Sequence, residues 1–108
     1  MTAQYQVNGE TFRAEAARRD HAWGNGISVR ITTATGALLA IPSFSCHPEF
    51  LGYAECQAMS MQELLAIAVA QLEAGVHAHV LAGAQSGLQL VCRLNGTGQE
   101  FACAVPPP

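Results

Sequence analysis

Apolar and polar residues follow a helical period in one segment of this chain, which begins at Ser60 and ends at Gly75. Ser60 followed three residues later by Glu63 matches a capping box, in which each side chain binds a backbone N–H of the other residue. Gly75 supplies the left-handed conformation with which helices commonly end. The pattern predicts a helix over residues 60–75. Its buried stripe is expected to hold Met61, Leu64, Leu65, Ala68, Val69 and Leu72.

The opposite stripe of the predicted helix has alanine at its centre. Ala66 and Ala70 lie between Gln62 and Glu63 at one end and Glu73 at the other. A helix face in full contact with water usually carries more charge. We therefore expect Ala66 and Ala70 to meet a second surface, either a partner chain or the Gly-rich segment from Ala82 to Gly87.

Strict alternation predicts strands ahead of the helix. Residues 4–7 and 11–18 flank Asn8-Gly9, which is the strongest short signal for a hairpin turn. Residues 27–33 alternate again after Gly24-Asn25-Gly26, where the glycines predict a second turn.

The remaining segments are shorter and less regular. Residues 37–41 form a continuous apolar run after Thr35-Gly36 and are predicted as a covered strand. Pro42 and Pro48 then interrupt any regular pattern, so residues 45–59 are expected to form an irregular loop. Past the helix, residues 76–80 alternate like a strand.

A terminal hairpin is predicted from residues 88–94 and 99–105, which flank a turn at residues 95–98. In the expected register Cys92 lies opposite Phe101, and Cys103 opposite Leu90, which leaves both thiols free. Altogether the sequence predicts one α+β domain over residues 1–108. It consists of a mainly antiparallel sheet of about six strands with one capped helix, residues 60–75, packed on it.

Charge is scarce in this protein. Only 12% of the residues are charged, against about 25% in an average globular protein, and half are apolar. Charge depletion is typical of the buried centre of a protein–protein interface, so we expect the partner to be a second copy of the chain or another protein. Nucleic acid is not the expected partner, because Arg18-Arg19, near His21 and Trp23, is the sole basic pair.

Targeting and membrane signals are weak in the sequence. The polar start of the chain lacks the basic and apolar regions of a signal peptide. The longest uninterrupted apolar run, residues 64–70, falls well short of the roughly twenty residues that span a bilayer. We therefore expect a cytoplasmic protein that does not engage the membrane and whose four cysteines are reduced thiols.

Histidines and cysteines suggest a metal site as the alternative function. On a strand, His77 and His79 would point to one side and share a metal, and Cys46, His47, Glu49 and Cys56 in the preceding loop would complete a zinc site. The spacing argues against zinc, since structural sites use close pairs such as C-x-x-C.

Candidates for catalysis are weaker still. Cys46 beside His47 precedes a helix N-terminus that would lower a thiol pKa, and Glu49 with Glu55 offers a carboxylate pair for acid–base work. Buried structural thiols and solvated glutamates are the commoner interpretation of both patterns. The absence of lysine also excludes Schiff-base chemistry, and no catalytic residue is assigned.

Aromatic residues in irregular segments often anchor interfaces, and Trp23, Phe50 and Tyr53 are assigned to partner binding together with Ala66 and Ala70. The sequence thus favours a small non-enzymatic module that binds or inhibits another protein, or pairs with itself, without a cofactor. An accessory protein carried on a mobile element would fit this description. The alternative is a metal- or small-ligand-binding protein that uses His77 and His79 with the Cys46–Glu49 loop, with zinc as its metal.

Overall fold

The computed structural model of the protein describes residues 1–21, 24–46, 53–86, 88–94 and 99–104. It confirms the predicted α+β class: a mixed, mostly antiparallel sheet carries one long helix. The strands are β1 (Thr2–Val7), β2 (Glu10–His21), β3 (Gly24–Thr33), β4 (Leu38–Ala40), β5 (Ser43–Cys46), β6 (Leu88–Arg93) and β7 (Gln99–Ala104). The helices are α1 (Tyr53–Ala58), α2 (Met61–Gln71) and α3 (His77–Ser86), and a π-helical turn, Leu72–Val76, joins α2 to α3.

The sheet has the order β1-β2-β3-β5-β6-β7, and β4 pairs with the far end of β3. Residues on both sides of Pro42 therefore line the same strand, β4 at Ile31 and β5 from Asn25 to Ser28. Pro42 lies at the break and its carbonyl oxygen accepts the Val29 N–H at 2.9 Å. Strands β5 and β6 are parallel because the three helices form the crossover between them.

The first hairpin forms as predicted. Asn8 and Gly9 have φ angles of 53° and 81°, and two positive φ values in a two-residue turn are the signature of type I′. Val7 pairs with Glu10 across the turn, and the antiparallel register continues to Thr2 opposite Glu15.

The long helix begins at the predicted cap. The Ser60 hydroxyl oxygen accepts the Glu63 N–H at 3.2 Å. The Glu63 carboxylate accepts the Ser60 hydroxyl proton at 3.1 Å, where the capping box had predicted a bond to the Ser60 N–H. The stripe predicted to be buried does face the sheet, since Leu64, Leu65 and Leu72 are each at most 3% exposed.

The predicted end of the helix is wrong. Gly75 adopts the positive φ that was expected, 137°, but the chain kinks there and resumes as α3. Residues 76–80 are consequently helical, and the strand predicted for them is also wrong. The physical reason is burial, since Leu72, His77 and Val80 all face the core. The five-residue step from Leu72 to His77 stays on one face because the π-helical turn joins the His77 N–H to the Leu72 carbonyl oxygen.

Three other segments differ from prediction. Residues 24–26 begin β3 and do not form a turn, since Asn25 pairs with Cys46 and Gly26 with Ser45. The expected loop over residues 45–59 contains the end of β5 and all of α1. The predicted register of the terminal hairpin is wrong as well, on both sides of a bulge between Gln89 and Leu90. Phe101 lies opposite Leu90, and Cys92 lies opposite Gln99.

The helix Met61–Ser86 has 26 residues and a mean hydropathy of 1.5 over its most apolar window, so its length and composition would suffice to cross a membrane. Counting uninterrupted apolar residues had missed this property. The same composition occurs in core helices, which are mostly buried, whereas a third of this window is buried here. Leu64, Leu72 and Val80 are among the residues that pack into one hydrophobic cluster with the sheet.

Candidate functional site

The outer side of the long helix carries a row of small apolar residues. We call this row the alanine face; its members are Ala66, Ala70, Ala74, Ala78 and Ala82, and all of them are exposed. The row exists because alanine recurs every fourth position while the leucines on the opposite side fill the core. Ala66 and Ala70 therefore lie opposite the buried stripe, as the sequence predicted. Residues 82–86 continue the helix and do not cover them, and their contact with a partner chain stays a prediction.

Charged side chains stand at the margins of the alanine face and are engaged within the chain. Glu63 takes part in the cap with Ser60. A Glu73 carboxylate oxygen accepts the backbone N–H of Gln6 at 3.4 Å, which ties the helix to edge strand β1. No arginine or lysine occurs between Arg30 and Arg93, so the face carries little charge that burial would have to desolvate.

The aromatic residues predicted to bind a partner are not tested by the structure. Trp23 and Phe50 lie outside the described residues. Tyr53 is the first residue of α1, but its side chain is not among those described. Their role in partner binding stays a prediction.

His77 lies in a buried aromatic cluster at the start of α3 and is 3% exposed. A hydrogen bond of 2.8 Å joins its Nδ1 to the Tyr5 hydroxyl, and the Phe12 ring centre lies 4.2 Å from that of the imidazole. Burial lowers the pKa of His77, although the Glu10 carboxylate acts in the opposite direction. Burial likewise raises the pKa of Tyr5. Both groups are thus held neutral, as a satisfied polar pair inside a core should be.

The strand geometry on which the metal hypothesis rested is wrong for His77 and His79. In a helix, residues two apart point to nearly opposite sides, and accordingly His77 is buried while His79 is exposed. Within the described part of the chain, no three His, Cys, Asp or Glu side chains are grouped so that they could hold a metal. His47 and Glu49 lie outside that part, so their contribution to a zinc site stays a prediction.

Cys46 and Cys56 form a buried pair. Cys46 ends β5, Cys56 lies in α1, and the two residues are 1% and 2% exposed. Cys56 is close enough to Cys46 to affect the pKa of its thiol. Arg18 lies nearby, and one of its terminal nitrogens donates to the Met59 carbonyl oxygen at 3.4 Å, just past the end of α1. The sequence had named both cysteines as metal ligands but carried no signal that they meet.

The pKa of Cys46 moves in the direction opposite to the one predicted. Burial and the neighbouring Cys56 raise it to about 12, and the Arg18 guanidinium opposes this only in part. A thiol with such a pKa is protonated at neutral pH and is a poor nucleophile. The second catalytic candidate is not assembled within the described residues, because Glu55 is exposed on α1 and Glu49 lies outside them.

The outer face of the sheet holds a cavity of about 180 Å³ that the sequence did not predict. Arg13, Glu15, Arg30, Thr32 and Gly36 line it. Glu15 lies directly opposite Arg30 in the β2–β3 ladder, so a carboxylate accompanies the two guanidinium groups. This arrangement does not form the basic face that nucleic-acid binding requires.

Comparison of the chain with family models, curated proteins and solved structures gave no match. The functional argument therefore rests on the residues and their geometry.

Proposed function

We propose that this protein is a non-enzymatic interaction module that pairs with a second copy of itself through the alanine face. The observation that carries the proposal is the exposed row from Ala66 to Ala82 on a helix that is otherwise packed into the core. Small side chains allow two helices to approach closely, since the distance between helix axes depends on the side chains at the contact.

Electrostatics support a neutral contact of this kind. The helix carries only two charged residues, Glu63 and Glu73, and both contact other groups of the same chain. Burial of the alanine face in a dimer would therefore desolvate few charged groups. Depletion of charged residues also distinguishes the centre of an interface from the rest of a protein surface.

Substitution of single alanines tests the proposal. Ala70→Arg on α2 and Ala78→Arg on α3 place a charge on the alanine face, and arginine has nearly the helix propensity of alanine. Ala17→Arg is the matched control, because Ala17 is exposed on β2 and pairs with Ser28, on the sheet side that faces away from the helices.

Sedimentation velocity over a range of protein concentrations gives the readout. We expect the wild type and Ala17→Arg to form dimers of the 11.4 kDa chain, and the two helix variants to be monomers with unchanged circular dichroism. A wild type that is monomeric at every concentration would overturn self-association. A dimer that persists in both helix variants would place the interface elsewhere.

A further inference from the structure

We propose that Cys46 and Cys56 form a reversible intramolecular disulfide when the protein meets a low-molecular-weight disulfide such as oxidised glutathione. The geometry points to this pair because Cys46 on β5 and Cys56 on α1 are both buried, and the two elements pack against each other. Cys56 is also a close electrostatic neighbour of Cys46. The proposal is independent of self-association through the alanine face.

The bond forms by two exchange steps that balance. A thiolate of the pair attacks one sulfur of oxidised glutathione, which gives a mixed disulfide and releases one glutathione thiolate. The second cysteine of the pair then attacks the mixed disulfide at the protein sulfur and releases the second glutathione. The protein loses two hydrogens as protons and is oxidised by two electrons, and one glutathione disulfide is reduced to two thiols.

Access to the pair depends on α1. This helix has six residues, a length at which helices have little stability of their own, so α1 opens at lower cost than the core strands. Cys56 moves with α1, whereas Cys46 is anchored in β5 by its pairing with Asn25. Cys56 is therefore the residue that meets the oxidant first, and Cys46 completes the bond when α1 returns.

Cys92 is the third cysteine whose side chain the structure describes, and it is the competing thiol for this pair. It is 1% exposed on β6, and burial alone raises its pKa to about 12. The electrostatic neighbours of Cys46 include Cys56 and Arg18 but not Cys92. The structure thus favours one partner for Cys46 and leaves Cys92 as a control position.

Peptide mapping identifies the bond directly. The reduced wild-type chain is equilibrated in a buffer of reduced and oxidised glutathione, quenched with acid, alkylated and cleaved after glutamate. Cleavage places the four cysteines in separate peptides, residues 16–49, 56–63, 74–100 and 101–108, which are bounded by Glu15, Glu49, Glu55, Glu63, Glu73 and Glu100. We expect 16–49 linked to 56–63, with a mass two hydrogens below the sum of the reduced peptides.

The same equilibration in guanidinium shows whether the fold brings the thiols together. We expect the equilibrium constant for the 46–56 bond to be roughly a hundredfold higher in the folded chain than in the unfolded chain. By linkage, this ratio equals the factor by which the disulfide would raise the folding equilibrium constant. Cys92→Ala should keep the linked peptide, and Cys56→Ala should lose it. A link between 16–49 and 74–100 in place of the expected one, glutathione adducts alone, or equal constants in folded and unfolded chains would each overturn the proposal.

Discussion

The Tyr5 hydroxyl and His77 Nδ1 lie 2.8 Å apart and join the edge strand β1 to α3 across 72 positions of sequence. The Phe12 ring packs against the imidazole, so the bond is enclosed by apolar surface. A buried polar pair of this kind stabilises the fold only while both members remain paired. The contact fastens β1, which has a neighbour on one side only, to the helical layer.

Tyr5→Phe should lower the free energy of unfolding by about 1–3 kcal/mol, because it leaves the buried imidazole without the hydroxyl. Urea denaturation at pH 7.5 measures this loss. In a His77→Leu background the same substitution should cost far less, since the partner is already gone. An equal loss in both backgrounds would show that the hydrogen bond does not contribute to stability.

Stability should also depend on pH through His77. Burial holds its pKa in the folded state below the ordinary value of about 6.5, so between those two values the unfolded chain binds more protons. The contribution of His77 to the free energy of unfolding is therefore complete above pH 6.5. It is lost as the pH falls below 6.5, by at most about 1.4 kcal/mol per pH unit.

Urea denaturation between pH 7.5 and pH 5 tests this dependence. As the pH falls, the free energy of unfolding of the wild type should decrease relative to that of His77→Leu. His79→Gln is the matched control, because His79 is exposed on the same helix, and this variant should follow the wild type. A pH dependence that is the same in His77→Leu and the wild type would assign the effect to other groups.

Local signals explain which parts of the fold could be predicted from the sequence. The helix start depends on Ser60 and Glu63, and the first hairpin on Asn8-Gly9, so a few neighbouring residues decide each. The helix end could not be predicted in this way. Gly75 has the expected local conformation, but burial of His77 and Val80 against distant strands carries the helix past it.

The same distinction between local signals and long-range packing applies to the candidate sites. Helical periodicity correctly placed Ala66 and Ala70 on the side of the helix opposite the buried stripe, because both stripes follow from one local pattern. The pairs Tyr5–His77 and Cys46–Cys56 join residues from different elements, and only the packing of those elements brings them together. The alternating pattern around His77 and His79 predicted a strand where the structure has a helix. Val76 and Val80 are four residues apart, and over so short a segment this spacing fits both the strand period and the helix period.

Gly26 marks the closest approach between two strands, and its replacement should be costly. A Cβ at this position would overlap the Phe44 carbonyl oxygen and lie 2.8 Å from the Ser45 Cα. Both are backbone atoms, so β3 and β5 would have to separate. We expect Gly26→Ala to lower the free energy of unfolding by about 1–3 kcal/mol, which is the usual cost of overpacking.

Urea denaturation compared with hydrogen exchange locates the effect of Gly26→Ala. The amides of β5 should lose protection more than those in the β1–β2 hairpin, because β5 pairs with β3 next to the substituted position. Ser28→Ala on the same strand is the matched control, since it removes a half-buried hydroxyl without adding an atom to the strand contact. Stability and β5 protection equal to those of the control would show that the two strands do not approach as closely as Gly26 permits.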